Sequence, residues 1–352
     1  MLGERPDLVH ELHRRASAWH EEHGDRREAI THALVAEDFP WAAELIELAA
    51  PEMRYTRQEA PLRKWLEALP SELFESRPVL TLTLVGARMG TGDTTGVEPL
   101  LERAERWLGG DRPSDAIVFD EEEFVRLPEQ VAVYRSAFAL LAGDIPGARA
   151  HANQVLALAH PSDHYRRGGA AALLGLAHWH EGDIDPARER YAEAVAHFLA
   201  MGWVPDALGC SLALGDILVA QGRFGDARRT FEAGLGHARG RPGLRGTADM
   251  HVALSELLLE ANELDDAQQH VETATALGEH AGLPQNAYRR RVAAARLRQA
   301  QGDIAGALEL LEEAEAVFNT DFSPPIRPVG ALRARALLAQ GDVAGAAGWA
   351  QD

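Results

Sequence analysis

The chain has 352 residues, more than one globular core usually fills, and 46% of them are hydrophobic but only 6% aromatic, which favours close-packed helices in several domains or an elongated stack. With 54 Asp and Glu against 35 Lys and Arg, the net charge is -19, a surface that repels a phosphate backbone and argues against direct binding of nucleic acid. The only cysteine, Cys210, leaves no intramolecular disulfide and suits a reducing cytoplasm, and neither an apolar signal core nor a run of about 18 apolar residues points to secretion or a membrane.

In chain order, residues 1–50 read as a helical segment. It carries Leu12 to Ala16 (LHRRA), Trp19, Ala29 and Ile30, His32 to Leu34 (HAL), and Trp41 to Ala43 (WAA). His10 and His13, and again His20 and His23, flank acidic residues as in zinc proteases, but a helical zinc pair needs a four-residue spacing and these stand three apart. A polar histidine face is the simpler reading. From residue 51 onward a second region runs to 352, opening with Trp65 to Pro70 (WLEALP), Arg77, Pro78 and Leu80. Gly90 to Gly96 (GTGDTTG) lacks both the preceding strand and the spacing of a dinucleotide loop and reads as a turn. Residues 109–128 are expected to form an exposed acidic loop.

Then one phrase recurs: GDIPGA at Gly143, GDIDPA at Gly182, GRFGDA at Gly222, NELDDA at Asn262, GDIAGA at Gly302 and GDVAGA at Gly341, with a period near 40. Gly or Asn ends one helix in a left-handed conformation, the acidic residue beside it can cap the next, and the Ala lets the two helices approach closely. Each unit is therefore a helix hairpin, with Leu174, Gly175 and His178 on one helix facing Ala187, Tyr191 and Ala194 on the other. A second interruption, Asn319 to Pro328, precedes a final hairpin.

The small residues Gly175 and Gly215, the Gly-Asp loop and the series Ala187, Tyr191, Ala194 resemble a tetratricopeptide repeat with lengthened helices. The resemblance implies an all-α fold, a right-handed superhelix (α-solenoid) of such hairpins. With the patterns in residues 11–46 and 65–80, almost the whole chain is similar to the MalT-like regulators of the large LuxR group. That likeness implies a helical linker at 1–50, which follows an ATPase module in the family, and a superhelical sensor domain at 51–352. It further implies a cytoplasmic transcription regulator in which nucleotide and DNA are bound by other modules. ATP is expected only on such an N-terminal module and no cofactor in this chain: the sole lysine, Lys64, follows Arg63 and belongs to no phosphate-binding loop. No Gly-x-Ser-x-Gly elbow occurs and Cys210 lies in an apolar stretch, so a non-catalytic role is expected.

In stacked hairpins, residues at one register become neighbours. Six positions before each loop stand Ala137, Leu176, Asp216, Glu256, Arg296 and Arg335, and the same stripe adds Trp179, His180, Leu212, Asp249, Glu260 and Arg289. The candidate ligand-binding residues are Trp179, His180, Asp216, Asp249, Glu256, Arg289 and Arg296: an aromatic face, hydrogen-bond acceptors and forked cations. They suit a small polar effector such as a sugar or metabolite. The alternatives are a freestanding scaffold for a protein or peptide partner, and a simple pairing of Glu256 with Arg296 across repeats.

Overall fold

The computed structural model describes residues 6–109, 115–318, 323–324 and 326–349. Every regular element among them is helical. The chain divides into two compact units, Met1–Phe138 and Ala139–Asp352.

The first unit contains α1 (Pro6–Glu22), α2 (Arg26–Val35), α3 (Phe39–Tyr55), α4 (Glu59–Glu67), α5 (Pro78–Gly90), α6 (Val97–Glu105), α7 (Glu121–Val125) and the start of α8 (Leu127–Leu141). Asp25 begins α2 by accepting a hydrogen bond from the Glu28 N–H, satisfying one of the donors that a helix start leaves open. Ile30, Leu45, Ile46, Leu62, Leu66 and Leu80 form its larger core. Leu82, Val85, Val97, Leu101 and Leu127 form a second one.

The stretch 109–128, expected as an exposed acidic loop, is exposed at Ile117, Phe119, Glu121, Glu122 and Val125 but is neither all loop nor all exposed, and 110–114 lie outside the described residues. Asp120 caps α7 through the Glu123 N–H, and Phe124 and Leu127 pack into the second core. Glu123 is buried, paired with Arg54 and accepting from Gln130 Nε2 at 2.6 Å. Glu47, 0% exposed, accepts the N–H groups of Phe119 at 2.8 Å and Asp120 at 3.0 Å. Burial pushes the Glu47 carboxyl above its ordinary range against those two hydrogen bonds. The acid-rich text hid apolar anchors and partnered carboxylates.

In the second unit stand α9 (Ile145–Leu158), α10 (His164–Glu181), α11 (Ile184–Ala200), α12 (Val204–Ala220), α13 (Phe224–His237), α14 (Thr247–Glu260), α15 (Leu264–Leu277), α16 (Asn286–Ala300), α17 (Ile304–Ala316), α18 (Val329–Ala339) and α19 (Val343–Gly348). Within it α10 pairs with α11, α12 with α13, α14 with α15, α16 with α17 and α18 with α19. Each recurring loop turns through a left-handed residue: Gly182 at φ 81°, Gly222 at 71°, Gly302 at 85°, and Asn262 at 60° in place of glycine. Asp144, Asp303 and Asp342 cap the helices that follow. Asp183 does not, its carboxylate lying 3.6 Å from His178 Nδ1 instead.

Close approach within a hairpin is enforced by the small residue. A Cβ on Gly215 would sit 2.1 Å from the Phe231 ring, and one on Gly175 would sit 2.9 Å from the Tyr191 ring. Tyr191 and Phe231 fill the space that the absent side chains leave, beside the fully buried Ala187, Ala194 and Ala227.

Candidate functional site

The first helices of successive hairpins in the second unit, α12, α14 and α16, are neighbours. The 40-residue period therefore places Asp216, Glu256 and Arg296 in a row, as their equal offsets require. What joins the two carboxylates is Arg327, which enters from the irregular stretch before α18. Its Nη2 lies 2.7 Å from Asp216 Oδ1 and 2.6 Å from Glu256 Oε2, and its Nε lies 2.9 Å from Glu256 Oε1. The Tyr288 hydroxyl on α16 donates to the Arg327 carbonyl, holding the backbone in place.

This is a charge network out of water. Burial alone would raise the Glu256 carboxyl, yet Arg327 and Arg296 outweigh it and hold Glu256 below its ordinary range. Burial likewise opposes the charge on Arg327, and Asp216 and Glu256 reverse that, so the guanidinium stays protonated well above its usual range. Arg296 stands 3.6 Å from Glu256 and also bonds to Glu260.

Two cavities meet at Arg327. One, of about 300 Å³, is lined by Trp179, His180, Asp216, Gln285, Tyr288 and Arg289, with Phe318, Ser323, Pro324 and Ile326 at its other side. The second, of about 400 Å³, is lined by Phe224, Phe231, Glu256, Glu260 and Arg296, and it shares Asp216, Ile326 and Arg327 with the first. A smaller space of about 210 Å³, lined in part by Leu212 and Leu283, also touches Trp179, Asp216, Gln285 and Arg289.

Of the residues read from the sequence, Trp179, His180, Asp216 and Arg289 line the first cavity, and Glu256 and Arg296 line the second together with Asp216. Asp249 is placed differently. It is 0% exposed, accepts the Leu283 N–H at 2.7 Å and stands 3.4 Å from Arg289, so it fixes the loop before α16 and holds the arginine. Burial pushes its carboxyl up, against the pull of Arg289. Trp179 is buried edge-on against Tyr191, with ring centroids 6.2 Å apart, while His180 is exposed.

Gln285, Tyr288, Phe318 and Arg327 were not among the sequence candidates, because none falls at the register positions counted from the loops. A row of buried carboxylates needs cations, and that demand was the available signal for Arg327.

Other chemistry-bearing groups are accounted for. The Cys210 thiol is buried, and burial raises its pKa, with Asp206 adding to the effect, so it is not poised as a nucleophile. His178, Glu181 and Asp183 bring ligand atoms within 4.8 Å of one another, but Arg149 already bonds to Glu181 at 2.9 Å. His13 pairs with His32 at 2.7 Å, and His23 bonds to the Trp19 carbonyl at 2.7 Å. Among the described residues no helix is long and apolar enough to cross a membrane.

Comparison with known proteins adds a family. The family model described as the MalT-like TPR region matches residues 129–352. The serine/threonine-protein kinase PknK of Mycobacterium tuberculosis is 26% identical over 318 residues, covering 86% of this chain and 27% of that protein; the Mycobacterium bovis protein matches to the same extent. The chain thus spans only about a quarter of the length of the curated relatives it matches. Among solved structures, a signal transduction ATPase with numerous domains and a tetratricopeptide repeat sensor, from Pyrococcus horikoshii, superposes with a TM-score of 0.56 at 13% identity, covering 97% of this chain and 51% of that one. The APC/C hetero-tetramer Cut9-Hcn1 gives 0.55 at 15% identity, covering 88% and 51%. These structural likenesses speak to the fold.

Proposed function

This chain belongs to the MalT-like tetratricopeptide-repeat family, and from that premise we propose that it is the sensing segment of a larger regulator, receiving a small effector in the cavity beside Arg327. The observation that carries the proposal is that cavity itself: about 300 Å³, at the small end of the usual range for ligand pockets, with aromatic walls and convergent polar groups. Its walls come from α10, α12 and α16 together with the stretch that carries Arg327. An effector held there touches several hairpins at once, and it shifts the protein between states to the extent that it prefers one spacing of those hairpins. The solved relative whose repeat domain is described as a sensor supports the same role. The net charge of -19 favours a division of labour in which DNA is met by another part of the regulator. The reading as a cytoplasmic, non-catalytic module accords with it.

A second reading has its own observation. The stretch carrying Arg327 lies on the acidic row much as a peptide bearing an arginine would, so a protein or peptide partner is the alternative occupant.

Thermal unfolding against fractionated small-molecule extract separates the two. On the effector reading a fraction raises the melting temperature of the native chain and fails to do so for Phe318→Ala, a change at a half-exposed cavity wall. If no fraction acts while arginine-bearing peptides raise it, the scaffold reading replaces the first.

A further inference from the structure

The cavity beside Arg327 has a chemical preference written in its walls. Its cations are already answered by carboxylates. Arg327 is forked between Asp216 and Glu256, with nitrogen-to-oxygen distances of 2.7 and 2.6 Å. Arg289, which also lines the cavity, stands 3.4 Å from the buried Asp249. An anionic ligand would have to draw a guanidinium away from carboxylates that are themselves out of water. A cationic ligand would meet Arg289 and Arg327 and find Asp216 already engaged.

Much of the remaining wall is aromatic or aliphatic, beside the polar His180 and Ser323. Tyr288 and Phe318 meet edge to face with centroids 5.0 Å apart, and Trp179 lines the same cavity. Against them stands a polar group left unsatisfied among the described residues. Gln285, only 5% exposed, lines this cavity and the adjoining one, and its Oε1, itself shielded from solvent, has no hydrogen-bond partner among the described residues. It is held there by its backbone role at the start of α16, where its carbonyl accepts the Arg289 N–H at 3.0 Å. A buried carboxamide oxygen left without a donor is costly, and a ligand N–H or O–H removes that cost once a turn of the Gln285 side chain presents the oxygen to the cavity.

We infer that this cavity binds an uncharged, planar aromatic compound bearing an amide-like or similar hydrogen-bonding edge, its ring between Trp179 and Tyr288 and its donor on Gln285. The inference rests on the effector reading above and narrows it from small polar molecules in general to a neutral ring compound.

Benzamide, benzoate and benzamidine share a ring and a size and differ in charge, so they isolate the preference. Each is titrated at millimolar concentration into the full chain at pH 7, and binding is followed by ligand-observed NMR. The expected order has benzamide severalfold tighter than both ions. Gln285→Met, which keeps the length and removes the unsatisfied amide, is expected to weaken benzamide severalfold without lowering the melting temperature. Tighter binding of benzoate or benzamidine, lost in Phe318→Ala, would overturn the neutral-ligand inference and leave the effector pocket standing. So would undiminished benzamide binding by Gln285→Met. Binding of none of the compounds would likewise overturn the neutral-ring inference, while the pocket reading stands or falls with the melting-temperature test above.

Discussion

Arg327 meets Asp216 across 111 residues of sequence, its Nη2 2.7 Å from the carboxylate, and the same nitrogen reaches Glu256 at 2.6 Å. One cation therefore ties the stretch before α18 to both α12 and α14. Arg327→Met leaves two carboxylates in a buried site without their main partner, a loss expected to cost about 3–5 kcal/mol. Chemical denaturation followed by helical circular dichroism measures it. Arg327→Lys, a point charge without the fork, should fall between the two.

The hairpin geometry predicts opposite outcomes for two glycine substitutions. Among the described residues nothing lies within 4 Å of a Cβ added at Gly169, so Gly169→Ala should stabilise α10 by about 0.5–1 kcal/mol. Gly215→Ala places its methyl group 2.1 Å from the Phe231 ring and should lose about 1–3 kcal/mol through overpacking. Paired denaturation curves check both signs.

His251 and His270 face each other with Nδ1 atoms 2.8 Å apart, one donating and one accepting. Burial, with the neighbouring His270, lowers the His251 pKa to about 4; burial also lowers that of His270, partly offset by Asp266 and Glu232, while Arg228 adds to the lowering. A histidine depressed in the folded state contributes stability above its unfolded pKa, near 6.5, and that contribution is lost as pH falls toward its folded pKa. The urea midpoint should therefore fall between pH 6.5 and 4, and less steeply in His251→Gln. Glu256, whose folded pKa is also depressed, loses its contribution further down in pH and is common to both proteins, so the difference between the curves isolates the histidine pair.

Asn262 occupies a left-handed turn, φ 60°, where the equivalent loops have glycine. Asn262→Gly should be close to neutral, whereas Asn262→Val should cost about 1–2 kcal/mol. Thermal melts of the two variants distinguish a conformational demand from a side-chain contact.

The same loop shows why the hairpins were legible in the sequence. A left-handed turn, a small residue at a crossing and a capping acid are local demands, and Gly182, Gly215 and Asp303 each meet one in the text of the chain. The row formed by Asp216, Glu256 and Arg296 followed from the period alone. Arg327 did not, because its stretch has no period, and its role depends on a position that only the folded hairpins define. Gln285 and Tyr288 were hidden for the same reason, lying nearer the start of α16 than the register positions counted back from the loop. At 117–128 charge composition misled in part, since Phe124 and Leu127 anchor a segment in which Glu123 pairs with Arg54 and Asp120 caps the α7 backbone.

The central claim is that a small effector occupies the cavity walled by Trp179. The indole N–H resonances of the isotopically labelled chain test it most directly, because the chain has seven tryptophans and, among them, Trp179 lines the cavity beside Arg327. With the Trp179 signal assigned through Trp179→Phe, the active small-molecule fraction should move that resonance while those of Trp19 and Trp41 in the first unit stay in place. If the Trp179 signal stays fixed while saturating ligand moves others, or if none moves, the cavity is not the sensor site.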